Sequence, residues 1–206
     1  MVKVDLVTRS KFHGEIYGMG TSSGTRIVVG NWTRSPLGTF TDVMVEFENG
    51  HRLLLAPDDE VREFVSATYT FDETILTPVI FERLPDGSRK VQAGRLALRI
   101  HTGRITPLGV LLKLVPTAIS TAPWFCTLTD PIARVALRGV RTRGSAGGGR
   151  REYYGAHTQY RVTAVEASWD GKNLGSLTRV TPPVRFGFGS TPQAPSVTYI
   201  TTTIDD

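Results

Sequence analysis

The densest run of chemically active side chains in this sequence lies between residues 141 and 157. Arg141, Arg143, Arg150 and Arg151 flank a glycine-rich stretch that contains no acidic residue. The guanidinium group presents a rigid fork of donors, and glycine lets backbone amides approach an anion closely. We therefore expect these four arginines to bind phosphate or carboxylate, although the segment also fits a solvated loop whose charges favour solubility.

A carboxylate, a phenol and an imidazole follow this segment directly, as Glu152, Tyr154 and His157. Side chains of these types transfer protons to a ligand within hydrogen-bond reach, so all three are candidate catalytic residues. On a β-strand, Glu152 and Tyr154 would share one face while Arg151 and Tyr153 share the other. Only one of these faces can meet a single pocket. The alternative is an ordinary strand with aromatic packing and surface ion pairs.

Aromatic residues alternate with glycines in a second stretch, Val184 to Ser190, which includes Phe186 and Phe188. Aromatic faces beside accessible backbone amides suit a flat or acyl ligand, so both phenylalanines are candidate ligand-binding residues. The same pattern also describes a strand whose glycines allow tight twisting against a neighbour.

The remaining chemistry-bearing residues do not form a specific catalytic or metal-binding motif. The serine within Gly20–Gly24 is followed by a strand-like sequence instead of the helix that a nucleophile elbow requires, so we expect a hairpin turn there. His13, His51 and His101 do not have metal-ligand spacing, and Cys126 is the only cysteine of the sequence. We expect no metal, no cofactor and no disulfide, and a buried, unreactive thiol at Cys126.

Length and composition are those of a globular protein. The chain has 206 residues, of which 40% are apolar and 21% are charged, and its formal net charge is +5. One domain spanning residues 1–206 can bury a core at this length. No apolar stretch fits a signal peptide or a membrane span, so we expect a soluble, cytoplasmic protein without a membrane partner.

Short segments that are rich in valine, isoleucine, threonine and aromatic residues predict a mainly β fold, an antiparallel β-barrel or double β-cone. In one hairpin, Val43 and Val45 face the same side and Asn49-Gly50 forms a type I′ turn. A change in the apolar phase near Ala164 indicates a β-bulge. The predicted strands are Thr25–Trp32, Asp42–Glu48, His51–Leu55, Ala67–Asp72, Ile75–Leu84, Leu96–His101, Gln159–Trp169, Val184–Phe188 and Val197–Ile204.

Two or three short helices are predicted between the two blocks of strands. Asp58–Val65 carries acidic residues in its first turn, where the helix dipole favours them. Pro107–Val115 is more apolar. Asp130–Arg138 begins with an N-cap aspartate and has Pro131 at its first helical position.

Two stretches resemble the acetoacetate decarboxylase-like superfamily, whose members enclose a ligand in a β-cone or barrel. Ser35–Asp42 is similar to the family's Gly-Pro-Tyr-Asn-Glu turn that leads into a core strand, and Gly149–Gly155 is similar to its Gly-Arg-Glu-x-x-Gly segment. Ala156-His157 stands where the family has the motif of its catalytic lysine. The resemblance implies an enclosed, ligand-binding β fold that lacks the lysine needed for decarboxylation.

Together these features favour an enclosed β fold that binds a small, anionic organic molecule, either as a binding protein or as an acid–base enzyme. In the alternative, the basic glycine-arginine loop contacts nucleic acid or an acidic protein; we do not expect nucleic acid, because no nucleic-acid motif accompanies the loop. A third hypothesis is a homo-oligomer or another assembly formed through an exposed sheet edge, with the threonine-rich Thr198–Thr203 as the edge strand.

Overall fold

A computed structural model describes residues 9–122, 124–127, 143–145, 151–187 and 191–205. These residues form a mainly β protein, as the sequence predicts, with short helices inserted in the middle of the chain. The predicted helix Asp130–Arg138 lies outside the described residues. None of the helices within them is long and apolar enough to cross a membrane.

The strands of the described residues all belong to one sheet, which curls into a half-barrel. They are β1 (Arg9–Thr21), β2 (Arg26–Arg34), β3 (Phe40–Glu46), β4 (Arg52–Ala56), β5 (Glu73–Leu76), β6 (Val79–Arg83), β7 (Arg89–Ala93), β8 (Leu96–Ile105), β9 (Arg143–Ser145), β10 (Arg151–Trp169), β11 (Lys172–Asn173), β12 (Leu177–Thr178) and β13 (Ser196–Asp205). Hydrogen-bonded neighbours follow the order β5-β4-β3-β2-β1-β13-β10-β8-β7-β6. Every pair is antiparallel except β4 with β5, so the predicted antiparallel architecture is confirmed.

Three helices have complete bounds within the described residues: α1 (Asp59–Thr68), α2 (Pro107–Lys113) and α3 (Thr117–Ser120). The Asp58 side chain caps α1 by accepting a hydrogen bond from the Val61 amide at 2.9 Å. Thr106 caps α2 in the same way through the Gly109 amide, also at 2.9 Å. Two of the predicted helices are therefore confirmed, each starting at a side chain that pairs an otherwise unpartnered backbone amide.

Both faces of the sheet are buried where β1 to β4 run, and we call them the inner face and the outer face. Strand β4 shows this most simply: Leu53 and Leu55 pack in the interior of the half-barrel, on the inner face. Leu54 and Ala56 pack on the outer face, which α1 and residues 180–187 cover. A strand that is buried on both sides carries a continuous apolar run, as β4 does.

Residues 180–187 are held against the outer face by a buried carboxylate, Glu46. Its oxygens accept hydrogen bonds from the backbone amide of Arg185 at 2.7 Å and from its guanidinium at 2.8 Å, and Arg26 pairs with it at 2.9 Å. The predicted strand Val184–Phe188 is wrong over residues 184–187, because this backbone bonds a side chain instead of a neighbouring strand. Phe186 is nonetheless buried, packed on Phe71.

Of three other local predictions, two are wrong and one is confirmed. The hairpin at Asn49-Gly50 exists, but only Gly50 has a positive φ (+86°), so the turn is not type I′. The predicted strand Ala67–Asp72 is wrong, because α1 continues through Thr68. The bulge near Ala164 is confirmed by a register shift between β10 and β8.

The threonine-rich C-terminal strand is not at a sheet edge. Strand β13, which contains Thr198–Thr203, lies between β1 and β10 and is hydrogen-bonded to both along its length. Its Thr201, Thr202 and Thr203 are buried. The predicted edge strand is therefore wrong, because a threonine-rich sequence fits a central strand as well as an edge.

Candidate functional site

A small cavity lies on the outer face of the sheet, beneath α1. It offers about 40 Å³ to the centres of water-sized molecules. Much of its wall is apolar, with Phe12, Val28, Phe40 and Val65 among the contributors. An apolar wall with a few convergent polar groups is typical of small-molecule sites. The polar side chains that line this cavity include Asp42, Tyr69, Glu152, Tyr154 and Thr202.

Glu152 forms a hydrogen-bonded cluster with two tyrosines. The Tyr69 hydroxyl donates to the carboxyl oxygens of Glu152, at 3.2 and 3.3 Å, and lies 2.5 Å from the Tyr154 hydroxyl. Burial raises the pKa of Glu152 to about 7, against the opposing effect of the tyrosine hydrogen bonds. Burial, and then the nearby Glu152 charge, raise the pKa of both tyrosines well above 10, so the phenols stay protonated.

Asp42 supplies a second carboxyl group to the same cavity. It points to the outer face of β3, and its Oδ1 accepts a hydrogen bond from Trp32 Nε1 at 3.0 Å. Gly30 lies opposite it on β2, and a Cβ atom there would come within 2.6 Å of the same Oδ1. The absence of a side chain at Gly30 therefore allows this geometry. Burial raises the pKa of Asp42 to about 7, so its proton is also exchanged near neutral pH.

Thr202 places a hydroxyl group next to the tyrosine cluster. It pairs directly with Tyr154 in the ladder between β13 and β10, so the two side chains are neighbours on the outer face. The residue is 2% exposed, and within the described part of the chain its Oγ1 has no hydrogen-bond partner. An unpaired buried hydroxyl costs about 1–3 kcal/mol, which a ligand with an acceptor oxygen would offset.

No lysine, arginine or histidine side chain is among the described residues that line the cavity. The ionisable groups of this described lining are therefore two carboxyl groups and two phenols. They can exchange protons with a bound molecule and donate hydrogen bonds to it, but none of them is a cation that could pair with an anionic ligand.

Of the predicted catalytic residues, the structure brings Glu152 and Tyr154 together and places His157 elsewhere. Side chains alternate along β10, and His157 follows Tyr154 by three residues, so it lies on the inner face. There its Nε2 is 2.7 Å from Thr201 Oγ1, which is 3.0 Å from Nδ1 of His13. The predicted sharing of faces within residues 151–156 agrees with this register.

A wider, more open groove surrounds His157, and we call it the polar groove. It offers about 240 Å³ and is lined by His13, Glu15, Arg83, His157 and Thr201, among others. Glu15 is 1% exposed and pairs with Arg83, while Asn31 donates to it at 2.9 Å.

The two imidazoles of the polar groove are held neutral by their surroundings. Burial lowers the pKa of His13 and the pKa of His157. The charge of Arg34 lowers the pKa of His13 further, and the neighbouring His13 lowers the pKa of His157 further. The Arg34 guanidinium, which can only donate, lies 3.0 Å from His13 Nε2, so that nitrogen accepts. Thr201 then accepts from His13 and donates to His157, which completes a satisfied chain.

The predicted ligand-binding residues do not line the cavity where the structure describes them. Arg151 is exposed at the start of β10, and Phe186 is packed in the outer core. Arg143 lies in β9, paired with β10, and only its backbone is described. Arg141, Arg150 and Phe188 lie outside the described residues, so an anion site at the arginines stays a prediction.

Sequence reasoning missed Asp42, Tyr69 and Thr202 as site residues. For Asp42 a signal existed: Phe40, Asp42 and Met44 share one face of a strand, and an acidic residue between two large apolar ones suggests a buried carboxyl group. Tyr69 and Thr202 offered no such signal, because their neighbours in the site are remote in sequence.

Cys126 is 1% exposed, as predicted. Its sulfur lies 3.5 Å from the Ser120 carbonyl oxygen and 3.6 Å from that of Tyr154. Burial raises the pKa of the thiol to about 11, which disfavours the nucleophilic thiolate. Among the described residues, no group of three or more His, Cys, Asp or Glu side chains is placed to hold a metal ion.

The fold and the cavity define a mainly β protein with a small, largely apolar cavity on the outer face of its sheet. No protein-family model and no curated protein matches the chain. Among solved structures, it is similar to a protein provisionally named AttH, from Nitrosomonas europaea, with 10% identity and a TM-score of 0.31 over 96% of this chain. The match spans about half of that protein, 51% of its length. So weak a likeness indicates neither a shared fold nor a function, and the resemblance to the acetoacetate decarboxylase-like superfamily stays a prediction.

Proposed function

We propose that this protein binds a small, mostly apolar and uncharged organic molecule in the cavity beneath α1. The observation that carries the proposal is Thr202, whose buried hydroxyl lines the cavity without a partner among the described residues. Beside it, the Tyr154 hydroxyl belongs to a cluster that can donate or accept. A ligand oxygen that meets both hydroxyls would be bound at one end, and the apolar wall would bind the rest.

The proposed ligand is uncharged because the described lining of the cavity offers no lasting counter-charge to an anion or to a cation. An anion would meet two carboxyl groups and no cation in the described lining. A cation would meet carboxyl groups whose burial keeps them partly protonated near pH 7. The anionic ligand that the sequence predicts concerns the arginine segment and is a separate hypothesis.

Cyclohexanone is a suitable probe because it joins a small apolar ring to one acceptor oxygen. Calorimetric titration at neutral pH should show binding of cyclohexanone and little or no binding of cyclohexanecarboxylate. Thr202→Val should weaken cyclohexanone binding about threefold to tenfold through the lost hydrogen bond.

Filling the cavity supplies an independent test. Val65→Phe adds volume on the α1 side of the wall and should abolish binding, whereas Val110→Phe, at a half-exposed position on α2, is the matched control and should bind like the wild type. Equal binding by wild-type protein and Val65→Phe would place the probe elsewhere and overturn the proposal. Retained cooperative thermal unfolding shows that each variant is folded.

A further inference from the structure

The cavity contains two separate proton-exchanging groups that approach it from different strands. Asp42 enters from β3, with its orientation set by Trp32. Glu152 enters from β10 and reaches the cavity together with Tyr69 and Tyr154. The electrostatic influence of Asp42 extends to Tyr154, so the two groups act on the same small space.

The Glu152 cluster can work as a proton relay because its carboxyl group and the two tyrosine hydroxyls interact with one another. When Glu152 is ionised, the tyrosine hydroxyls donate towards its carboxylate. When Glu152 is protonated, it can donate instead, to Tyr154 directly or through Tyr69, and Tyr154 can then donate to a bound molecule. A proton on Glu152 can therefore be delivered to a ligand oxygen without movement of any heavy atom.

We infer that this cavity catalyses enolisation and double-bond isomerisation of a small neutral ketone, with Asp42 as the base and Glu152 as the acid that acts through Tyr69 and Tyr154. The inference rests on the proposed binding function and adds a reaction to it. Thr202, beside Tyr154, would donate a second hydrogen bond to the substrate oxygen as negative charge develops there.

The reaction balances without any other reactant. The Asp42 carboxylate takes a proton from the carbon next to the carbonyl group, and the C–H electron pair forms a C=C bond. The carbonyl π pair moves to oxygen, which takes a proton from Tyr154 as Tyr69 and Glu152 replace it in turn. In the reverse steps Asp42 returns its proton to the same carbon, or to the γ carbon of a β,γ-unsaturated ketone, which gives the conjugated isomer. Nothing is oxidised or reduced.

Two assays follow the two outcomes of the same intermediate. Mass spectrometry in D₂O measures deuterium uptake next to the carbonyl of cyclohexanone, and ultraviolet absorbance measures conversion of cyclohex-3-en-1-one to cyclohex-2-en-1-one. Both rates should exceed the buffer rate. Asp42→Asn should lower them at least about 100-fold, the usual contribution of a positioned base. Tyr154→Phe should lower them at least about tenfold, because it removes the hydroxyl that donates to the substrate oxygen. Glu166→Gln, at an exposed carboxyl group, should leave both rates unchanged.

The pH profile separates the proposed roles from a merely structural one. The titratable side chains that line the cavity in the described residues are Asp42, Tyr69, Glu152 and Tyr154. Because the base must be ionised and the acid protonated, the wild-type rate should be bell-shaped with its maximum near pH 7. Glu152→Gln should lower the rate and remove the decline at high pH. If Asp42→Asn does not fold, Tyr154→Phe and this profile decide the matter.

The outcomes for binding and catalysis are distinct. If cyclohexanone binds but neither assay exceeds the buffer rate, the catalytic inference is overturned and the binding function stands. If the wild-type and Asp42→Asn proteins react equally fast, Asp42 is not the base and the inference also fails. If cyclohexanone does not bind and does not react, both are rejected.

Discussion

Thr201 and Thr202 are neighbours on β13, but their hydroxyl groups lie on opposite faces of the sheet. One of these hydroxyls is hydrogen-bonded and the other is not. On the inner face, Thr201 lies between two imidazoles at 2.7 and 3.0 Å. On the outer face, Thr202 lines the cavity and has no partner among the described residues. Other buried polar atoms of the described residues also have no partner, among them Thr203 Oγ1, but Thr202 is the unpaired hydroxyl that lines the cavity, where a ligand can complete its hydrogen bonding.

The buried carboxyl groups repeat this contrast. Glu15, on the inner face, pairs with Arg83, and Asn31 also donates to it. Asp42 and Glu152, on the outer face, accept hydrogen bonds from neutral groups only where their contacts are described, and burial raises the pKa of each to about 7. The Glu15 charge is therefore paired with a cation, whereas the charge of the carboxyl groups in the cavity is set by their protons.

The largest expected effect tests whether both faces are packed. Leu53→Ala and Leu54→Ala remove buried side chains from the inner and outer face respectively, and each should lower the free energy of unfolding by about 2–5 kcal/mol in urea titrations. Leu76→Ala is the control; that side chain is 44% exposed, and its loss should cost about 0.5 kcal/mol or less. A large cost for only one of the two buried leucines would show that the other face is loosely packed.

The next effect is a pH dependence that comes from the outer face. The pKa values of Asp42 and Glu152 are raised by folding from about 4 to about 7, so the native state binds more protons than the unfolded state between these values. Their contribution is fully present below about pH 4 and is lost as pH rises through about 7. We expect a loss of at least about 3 kcal/mol for the two groups together.

The double variant Asp42→Asn/Glu152→Gln isolates this contribution, because the other titratable groups act equally in both proteins. The measurement is the free energy of unfolding at about pH 5 and about pH 8 for wild type and variant. The wild type should lose more stability across this interval than the variant does. Parallel curves for the two proteins would mean that these carboxyl groups titrate normally.

A smaller effect compares the adjacent threonines directly. Thr201→Val removes a hydroxyl that is hydrogen-bonded to both His13 and His157, so it should cost about 1–3 kcal/mol of unfolding free energy. Thr202→Val removes a hydroxyl without a partner in the described structure, so it should be neutral or stabilising. Thermal unfolding of the two variants without ligand measures both. The reverse ranking would contradict the contrast between the faces.

The smallest effect is expected at Cys126, which is buried beside the carbonyl oxygens of Ser120 and Tyr154 and belongs to neither site. Its buried thiol should react with an aromatic disulfide reagent only as fast as the protein opens, far more slowly than in urea. Labelling is followed by absorbance, with the unfolded protein as control. Rapid labelling of the native protein would show that the packing around Cys126 is open.

Much of the fold could be predicted because local pattern and tertiary structure agree. Alternation identified β3 and the second half of β10, and acidic residues in the first turn identified α1. Prediction failed where another interaction replaced the local one. Residues 184–187 look like a strand, but their backbone bonds Glu46, a partner far away in sequence.

For the site, the sequence alone determined that Glu152 and Tyr154 share one face of a strand, because side chains alternate along any β-strand. The same rule separates them from His157. Only the tertiary structure decided that Asp42, Tyr69 and Thr202 meet them in one cavity, because the five side chains come from three strands and the end of a helix that the curl of the sheet brings together. Burial in that cavity, which no local pattern encodes, raises the pKa of its carboxyl groups towards neutrality.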